Sequence, residues 1–502
     1  MKLQEIMNNV QFSLNNGDWE NIKNNEILDI TYNSANSKPG FIFIALVGET
    51  VDGHNYALDA YNKGCRTFIL QHDLEQLGDD CIKIIVENTR TTLSRISANF
   101  FGNPSKELTI IGITGTKGKT TVTNYISTVL NSAGLNTGVI GTNGTFYNGK
   151  FEKTVNTTPE SYELHRLFRT MLDEGVKAIT MEVSSGGLMM HRVDDVDFDI
   201  AIFSNLSEDH IGPKEHPTFE HYLSCKAKLF TMCRYGIINC DDPYANEIIK
   251  NATCHIDTFS INNASTLQAT DICYSNSLSS IGVDFNVLTS KGSTKFHICS
   301  PGTFSIYNAL AVIGVCRRLG IDSETAVNAL KNAKVDGRVQ VLPILPYATV
   351  IVDYAHNGMS LETILKTLKE YKPNRILCLF GSVGGRTVGR RKELGDVAAK
   401  YCDISVLTSD NPDFEEPLNI IKDIEPSFIK TGADYIVEPN REEAIKRILH
   451  LAKEGDIILL AGKGHEKYQL IKGERVPFDE TKIAADVAKE ILTTNKLLQT
   501  SL

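Results

Sequence analysis

Several features are missing from this sequence of 502 residues, and each absence excludes a class of protein. No run approaches the ~18 apolar residues of a membrane-spanning helix, and the opening MKLQEIMNNVQFSL lacks the apolar stretch of a signal peptide. Basic charge is not in excess, because 51 Lys and Arg stand against 61 Asp and Glu, a net charge of −10. This disfavours a nucleic-acid binder. We therefore expect a cytoplasmic protein that binds small molecules, with no nucleic-acid or membrane partner.

Paired cysteines are missing as well. The 11 cysteines are scattered and no Cys-x-x-Cys pair occurs, which is typical of buried thiols in a reducing compartment. Internal repeats and low-complexity tracts are also absent. With 42% apolar and 22% charged residues the composition is that of a globular protein, and at ~150 residues per domain the length predicts about three domains.

Short apolar runs alternate with amphipathic segments along most of the chain, a pattern that indicates an α/β fold with mostly parallel sheets. The runs that we predict to be strands are 109–115, 178–184, 199–205, 348–356, 374–382, 403–410 and 456–464. Polar seams at 100–107 and near Asp336 divide the chain into predicted domains 1–106, 107–335 and 336–502. The Ser- and Thr-rich segment 260–300 is predicted to be an antiparallel appendage of the middle domain.

The strongest motif is a glycine-rich loop, GITGTKGKTT (112–121), between an apolar strand and a helical pattern that ends at Gly134. The glycines fall at 112, 115 and 118, not at the strict P-loop spacing. The loop can still hold phosphate, because backbone N–H groups and the helix N-terminus attract anions. We expect Lys119 to contact the β- and γ-phosphates and the Thr120 hydroxyl to bind Mg²⁺. The alternative is an ordinary glycine-rich turn.

Two side chains are expected at the same sheet edge, because Glu182 ends one predicted strand and His210 follows another. A carboxylate and a neutral imidazole can complete a Mg²⁺ shell. Either residue alone would more often be a structural cap. Their position beside a phosphate loop favours metal binding.

The loop is similar to the GxxGxxGKTT signature of the Mur ligase superfamily, and further motifs follow in that family's order. They are TTP (157–159), MEVSSGGLMMHR (181–192), NLSEDH (205–210), CKAKLF (225–230), PGTFSIYNAL (301–310), DGR (336–338), DYAHN (353–357), DNP (410–412) and AGKGHEKYQ (461–469). Within the superfamily the chain resembles the UDP-N-acetylmuramoyl-tripeptide synthetases of the MurE type. The resemblance implies a UDP-substrate domain, a central P-loop domain and a Rossmann-like amino-acid-binding domain. It also implies ATP-driven addition of an amino acid to the D-Glu of UDP-N-acetylmuramoyl-L-Ala-D-Glu through an acyl phosphate, in peptidoglycan synthesis.

The resemblance also implies roles for individual residues. Lys226 would be carbamylated and support a second metal ion; read from the sequence alone, it is a solvated helix lysine. The residues implied to bind ATP are Gly115, Thr116, Lys117, Gly118, Lys119, Thr120, Thr121, Asn308, Arg338 and Asp353. Those implied to bind the other substrates are Ser34, Thr157, Thr158, Ser184, Arg192, Arg386, Asp410, Asn411, Asp413, Gly462 and Glu466. For Arg192, a surface ion pair is the alternative. Catalysis would rest on Lys119, Lys226 and His210.

The incoming amino acid is where the sequence departs from the family pattern most informatively. Relatives that add meso-diaminopimelate carry Asp-Asn-Pro-Arg, whereas this chain has Asp413 in the place of that arginine. An acidic group repels a distal carboxylate and attracts a distal ammonium, so the sequence predicts lysine or a similar amino acid, not meso-diaminopimelate. The alternative is that Asp413 faces solvent and the pocket accepts a neutral residue. Further departures are Gly186, Gly358 and the Gly385–Thr387 block.

Three rival functions stay open. A folylpolyglutamate or cyanophycin type of ligase is disfavoured by the first domain, and a plain P-loop ATPase or kinase would leave the third domain unexplained. A non-ligating paralogue would be expected to lose Lys119, Glu182, His210 or Lys226, and all four are present.

Overall fold

The computed structural model describes residues 1–500 except 16, 49–50, 209–210, 213–214, 278–279 and 386–387, with the backbone alone at 276–277, 280 and 495–500. The described chain divides into two compact units. The first comprises Met1–Thr266 and Ala311–Ile321, and the second Leu267–Leu310 and Asp322–Leu502.

The first unit is built from thirteen strands and nine α-helices within the described residues, together with four short 3₁₀ helices. The strands are β1 (Ser13–Leu14), β2 (Asp29–Thr31), β3 (Phe41–Ile44), β4 (Thr67–Leu70), β5 (Ile82–Ile85), β6 (Thr109–Thr114), β7 (Thr137–Gly141), β8 (Gly144–Tyr147), β9 (Lys150–Glu152), β10 (Ala178–Glu182), β11 (Phe198–Phe203), β12 (Cys233–Asn239) and β13 (His255–Ser260). The helices are α1 (Leu3–Ile6), α2 (Trp19–Ile22), α3 (Ala57–Asn62), α4 (Thr89–Phe100), α5 (Lys119–Ser132), α6 (Ser161–Asp173), α7 (Ser185–Met189), α8 (Phe219–Ala227) and α9 (Ala245–Ile249). The 3₁₀ helices are Ser34–Asn36, Gly53–Tyr56, Pro104–Lys106 and Lys228–Thr231.

Two sheets organise the first unit. The small sheet has the order β1-β5-β4-β3-β2, parallel except for β1. The larger one runs β13-β12-β11-β6-β10-β7-β8-β9, with β13 to β7 parallel and a closing antiparallel β7-β8-β9 meander. Strands β6 and β10 are buried almost throughout, because their continuous apolar runs suit a parallel sheet covered on both faces. The carboxyl ends of β6, β10 and β11 therefore meet at one edge.

The second unit contains the remaining elements. Its strands are β14 (Leu267–Ser277), β15 (Ser280–Thr289), β16 (Gly292–Ile298), β17 (Gln340–Leu342), β18 (Thr349–Asp353), β19 (Ile376–Phe380), β20 (Ile404–Leu407), β21 (Tyr435–Val437), β22 (Ile457–Ala461), β23 (Tyr468–Ile471) and β24 (Glu474–Pro477). Its helices are α10 (Thr303–Arg318, divided between the units), α11 (Ser323–Asn332), α12 (Gly358–Glu370), α13 (Val388–Tyr401), α14 (Pro417–Lys422), α15 (Glu425–Thr431), α16 (Arg441–His450) and α17 (Glu480–Thr500).

A six-stranded sheet organises the second unit, with the order β17-β18-β22-β19-β20-β21. All its strands are parallel except β17. Strands β23 and β24 form a separate hairpin. Every strand predicted from an apolar run is present, and the predicted α/β class with parallel sheets is confirmed.

The segment predicted to be an antiparallel appendage does form antiparallel strands β14, β15 and β16. The division by compactness groups it with the second unit, and its assignment to the middle domain stays a prediction. Within the second unit, Ile281 belongs to a buried cluster with Ile351 and Leu361. The Tyr371 hydroxyl also donates to the Gly282 carbonyl at 3.0 Å. The three-domain division stays a prediction.

Among the described residues, no helix combines the length and the apolar character needed to cross a membrane. The cytoplasmic location stays a prediction.

Candidate functional site

The glycine-rich loop connects β6 to α5 in the order that the sequence predicted. Gly115 and Gly118 have φ of 147° and 87°, which explains why glycine is needed at both. The Lys119 ammonium, at the start of α5, donates to the carbonyl oxygens of Gly115 at 2.8 Å and Thr116 at 3.1 Å. Its charge is thus held within the loop where a phosphate chain would lie. The predicted residues Lys117 and Thr121 flank it.

Glu182 lies at the centre of a buried hydrogen-bond network beside this loop. Its Oε1 accepts from the Thr120 hydroxyl and from the Thr142 backbone N–H, each at 2.9 Å, and its Oε2 accepts from the Thr142 hydroxyl at 3.2 Å. Only 2% of Glu182 is exposed. A buried carboxylate next to a phosphate-loop hydroxyl is an oxygen-rich donor set that fits Mg²⁺. The structure therefore brings Thr120 and Glu182 together, as predicted.

The residues predicted to hold the muramoyl-dipeptide adjoin the same network. The Thr157 hydroxyl lies 3.1 Å from that of Thr142, and the Thr158 hydroxyl donates to the Glu182 carbonyl at 3.0 Å. The hydroxyls of Thr158 and Ser184 are 3.1 Å apart. A continuous polar surface thus runs from the phosphate loop to these three positions.

Arg192 lies at the far end of that surface. Its Nη1 donates to the Thr158 carbonyl at 3.2 Å, and its Nε donates to Glu160 Oε2 at 3.3 Å. Arg90 pairs with the same Glu160 oxygen at 3.3 Å. Two guanidinium groups thus converge on one carboxylate at this end of the polar surface, and guanidinium groups suit the binding of an anionic substrate.

Lys226 is buried at the C-terminal end of α8, with 1% of its surface exposed. Its Nζ donates to the Gly115 carbonyl at 2.9 Å and lies 4.5 Å from the centre of the Tyr222 ring. The Tyr222 hydroxyl is 3.1 Å from the Thr116 hydroxyl. The alternative of a solvated helix lysine is therefore wrong, and Lys226 contacts the phosphate loop directly. Its carbamylation stays a prediction.

Two predicted residues, His210 and Arg386, lie outside the described residues. Ser34 is buried in the 3₁₀ helix Ser34–Asn36, and its carbonyl accepts from Lys63 at 3.1 Å. No contact in the described chain links Ser34 to the phosphate loop.

The second unit holds the three other residues predicted to contact ATP. Asn308 is buried on α10. Asp353 ends β18, and its two carboxylate oxygens accept from the N–H groups of Val339 and Ala355, each at 2.8 Å. Burial raises the pKa of Asp353, and the nearby Arg338 guanidinium opposes part of that shift. Arg338 itself stacks on the Tyr354 ring at 4.7 Å.

The loop of Arg338 fits tightly against the loop that follows β22. Gly337 has a φ of 65°, and a Cβ built there would overlap the backbone of Gly464 and His465. Gly464 has a φ of 52°, and a Cβ on it would lie 2.7 Å from Cβ of Tyr354. We call these two segments the interlocked loops, 336–338 and 462–466.

Lys463, in these interlocked loops, organises four of the predicted amino-acid-binding residues. Its fully buried Nζ donates to Asn411 Oδ1 and to Glu466 Oε2, both at 2.8 Å, and lies 3.6 Å from Asp410 Oδ1. Gly462 lies against the Asp410 carboxylate, where a Cβ would come within 2.9 Å. Although burial opposes the effect, Lys463 and Asn411 hold the pKa of Glu466 below its usual value. Glu466 is therefore ionised and can accept from an amine.

Asp413 does not present a free carboxylate. Its Oδ1 accepts from the Gly473 N–H at 2.8 Å, and its backbone pairs with the β23–β24 hairpin through Leu470 and Lys472. A cavity of about 310 Å³ lies beside it, lined among others by Asp413, Gln469 and Lys472. The charge argument for lysine is weakened, because the Asp413 carboxylate is engaged by the hairpin turn.

Sequence reasoning missed two polar residues of the site. Thr142 could have been found, because it directly follows β7 at the edge where Glu182 ends β10. Lys463 stands inside a motif that the sequence had already singled out, and a cation was needed there to balance Asp410 and Glu466.

Comparisons with known proteins identify two family domains in this chain. Residues 113–316 match the Mur ligase middle domain, and residues 337–464 match the Mur ligase glutamate ligase domain. A relative from Clostridium perfringens, named UDP-N-acetylmuramoyl-L-alanyl-D-glutamate--2,6-diaminopimelate ligase, is 40% identical over 94% of this chain and 97% of its own length. A relative of the same name from Clostridium botulinum is 38% identical over 98% of this chain and all of its own.

Solved structures agree as well. One described as the structure of UDP-N-acetylmuramoyl-L-alanyl-D-glutamate--2,6-diaminopimelate ligase superposes with a TM-score of 0.73, at 29% identity, over 98% of this chain and 99% of its own. MurF ligase from Thermotoga maritima in complex with ADP shares the fold, with a TM-score of 0.59 at 17% identity over 94% of this chain and 99% of its own.

Proposed function

Since this chain belongs to the Mur ligase family and is an ATP-dependent ligase, we propose that it joins 2,6-diaminopimelate to the D-Glu of UDP-N-acetylmuramoyl-L-Ala-D-Glu. One observation carries the proposal. Thr120 and Glu182 beside the phosphate loop share one hydrogen-bond network with Thr157, Thr158 and Ser184. A nucleotide and a carboxylate-bearing substrate bound there would be neighbours.

The reaction follows from this arrangement. The γ-phosphate of ATP passes to the γ-carboxylate of D-Glu, which gives ADP and an acyl phosphate. The amine of the incoming amino acid attacks the acyl carbon, the phosphate leaves, and the amine loses a proton. Lys119 neutralises charge on the transferring phosphoryl group, and Arg192 orients an anionic group of the acceptor.

Metal binding belongs to the same proposal. Thr120 and Glu182 would hold Mg²⁺, which supplies positive charge to the phosphate oxygens. Lys226, buried against the loop, would carry the carbamate that the family resemblance implies. We propose further substrate contacts at predicted positions outside this network. Ser34 would contact the uridine portion, and Asn308 and Asp353 would contact the nucleoside of ATP.

The sequence predicted lysine as the incoming amino acid. That prediction is not supported, since the similar relatives are named for 2,6-diaminopimelate. The cavity beside Asp413 is also lined by residues of both charges, among them Glu415, Glu416 and Lys472. The distal end of 2,6-diaminopimelate carries an ammonium and a carboxylate, so it complements a lining of both charges, whereas the distal end of lysine carries an ammonium alone. Lysine remains the second candidate, because Asp413 stands where the family pattern has arginine.

Phosphate release from ATP tests the ligase proposal. The purified enzyme is given UDP-N-acetylmuramoyl-L-Ala-D-Glu and, one at a time, 2,6-diaminopimelate, lysine, ornithine and alanine. We expect release that depends on both the dipeptide and an amino acid, with a new amide product by mass spectrometry. Phosphate release without any dependence on the dipeptide would contradict the proposal.

Two variants test the choice of amino acid. Lys472→Ala should lower kcat/KM for 2,6-diaminopimelate by about 10-fold and leave that for lysine within about threefold, because one ion pair of about 1.4 kcal/mol is lost for the first substrate only. Lys467→Ala is the control, because Lys467 directly precedes β23 but does not line the cavity. A higher kcat/KM for lysine in the unsubstituted enzyme would restore the prediction from the sequence.

A further inference from the structure

A second group of metal-binding side chains lies on α8 and the segment before it. His216, His221 and Cys225 each offer a ligand atom, and these atoms all lie within 4.8 Å of one another. The Nδ1 atoms of the two histidines are 3.0 Å apart, and Cys225 Sγ is 3.9 Å from the His221 ring nitrogens. None of the three belongs to the site described above.

Local structure explains why the three side chains converge. His221 and Cys225 are four residues apart on α8, so they project from the same face of the helix. The Thr218 hydroxyl caps α8 by accepting from the His221 N–H at 3.2 Å, which fixes the helix start. His216 precedes this cap and is 2% exposed. The spacing His-x₄-His-x₃-Cys thus places one loop ligand against two helix ligands.

His216 is also held in the orientation that a metal ligand requires. Its Nε2 lies 2.9 Å from the Ser185 hydroxyl, at the start of α7. When Nε2–H donates to that hydroxyl, the lone pair of Nδ1 points to the cluster, the arrangement that outer hydrogen bonds impose on metal-bound histidines. His221 and Cys225 are half-buried, so a water molecule can complete the shell.

We propose that His216, His221 and Cys225 form a binding site for a thiophilic divalent cation of the Zn²⁺ class. Two imidazoles and one thiolate suit such a cation and do not suit Mg²⁺, which prefers oxygen. Tetrahedral Zn²⁺ places its nitrogen and sulfur ligands about 3.3 to 3.6 Å apart. The 3.0 Å between the two Nδ1 atoms and the 3.9 Å between His221 and Cys225 differ from those values by a few tenths of an ångström. The site lies directly before Lys226, so its occupancy would stiffen the helix that contacts the phosphate loop.

The full-length protein is first stripped of metal. Competition with a chromophoric chelator then measures the affinity and the stoichiometry of Zn²⁺ binding. We expect the protein to bind one equivalent of Zn²⁺. His221→Asn and Cys225→Ala should each lower the affinity for Zn²⁺ at least about 10-fold. Ser185→Ala should also lower it, because the His216 ring loses the hydrogen bond that orients it. His255→Asn and Cys240→Ala, a histidine and a cysteine elsewhere in the first unit, are the matched controls. Alanine has a high helix propensity, so we expect Cys225→Ala to fold. This variant tests the site even if another one does not fold.

Co²⁺ provides an independent readout of the ligands. The wild-type protein loaded with Co²⁺ should show a thiolate-to-cobalt charge-transfer band that Cys225→Ala removes and Cys240→Ala retains. Zn²⁺ should raise the melting temperature of the wild type and not that of Cys225→Ala, because a ligand that binds the folded state stabilises it. Less than one equivalent bound, equal affinity in the variants and controls, or a cobalt spectrum without the thiolate band would each overturn the proposal.

Discussion

Glu182 allows metal binding and structural support to be separated by two substitutions at one position. In Glu182→Ala the hydroxyl of Thr120 and the N–H of Thr142 lose their acceptor in a buried site. Two hydrogen bonds to a charged acceptor at about 1.5 kcal/mol each give a destabilisation of about 3 kcal/mol. This sum is an upper bound on the destabilisation, because removing the buried charge also relieves its desolvation penalty.

Glu182→Gln should behave differently. The amide oxygen can occupy the Oε1 position and accept both bonds, while the amide N–H₂ donates to the Thr142 hydroxyl. The free energy of unfolding should therefore stay within about 1 kcal/mol of the wild-type value. The negative charge is lost, however, and Mg²⁺ binds a neutral amide poorly. We expect kcat to fall on the order of 100-fold, equivalent to about 2.7 kcal/mol in the barrier.

Thermal unfolding and phosphate release at a series of Mg²⁺ concentrations provide the two measurements. Glu163→Gln is the matched control, since Glu163 also accepts a hydroxyl bond, from Tyr32 at 2.8 Å, in a half-buried position away from the phosphate loop. Glu182→Gln should require more Mg²⁺ for half-maximal rate, and the control should not. A folded Glu182→Gln enzyme with a kcat within threefold of the wild type would refute the assignment of Glu182 to the metal.

Three further predictions concern single side chains. Lys119→Ala should abolish ligation with little change in melting temperature, because in the described chain its Nζ donates to loop carbonyls and not to a buried charge; near-normal turnover would refute its role in phosphoryl transfer. Lys226→Ala should be inactive, and short carboxylates such as formate should restore part of the rate if the lysine acts as a carbamate; full activity without additive would contradict this. Burial lowers the pKa of His165 to about 3, so protons bind preferentially to the unfolded chain below pH 6.5. Stability should fall by about 2 kcal/mol from pH 7 to pH 5, and His165→Leu should lose that part of the pH dependence in melting curves.

The architecture was predictable because its signals are local. Seven apolar runs became buried strands, and the phosphate loop formed where glycines at 115 and 118 separate a strand from a helix. Thr120 and Glu182 were predictable as neighbours, because the carboxyl ends of adjacent parallel strands β6 and β10 meet at one edge.

Contacts between distant parts of the sequence were not predictable in the same way. Asp413 read as a free acid, and the N–H that engages it belongs to Gly473, 60 residues further on. From the sequence alone Lys226 was interpreted as a solvated lysine, because nothing in its own helix indicates that its Nζ contacts the Gly115 carbonyl.

The interlocked loops restrict how this enzyme can vary. Gly337 and Gly464 leave no room for any side chain at either position, and both adopt backbone angles that favour glycine. A mutational library that randomises either glycine should therefore recover almost only glycine. Selection cannot change the spacing of the two loops without disturbing their backbones. In directed evolution toward a different amino acid, we expect the backbone of these loops to stay fixed and side chains of the β23–β24 hairpin that line the cavity to vary.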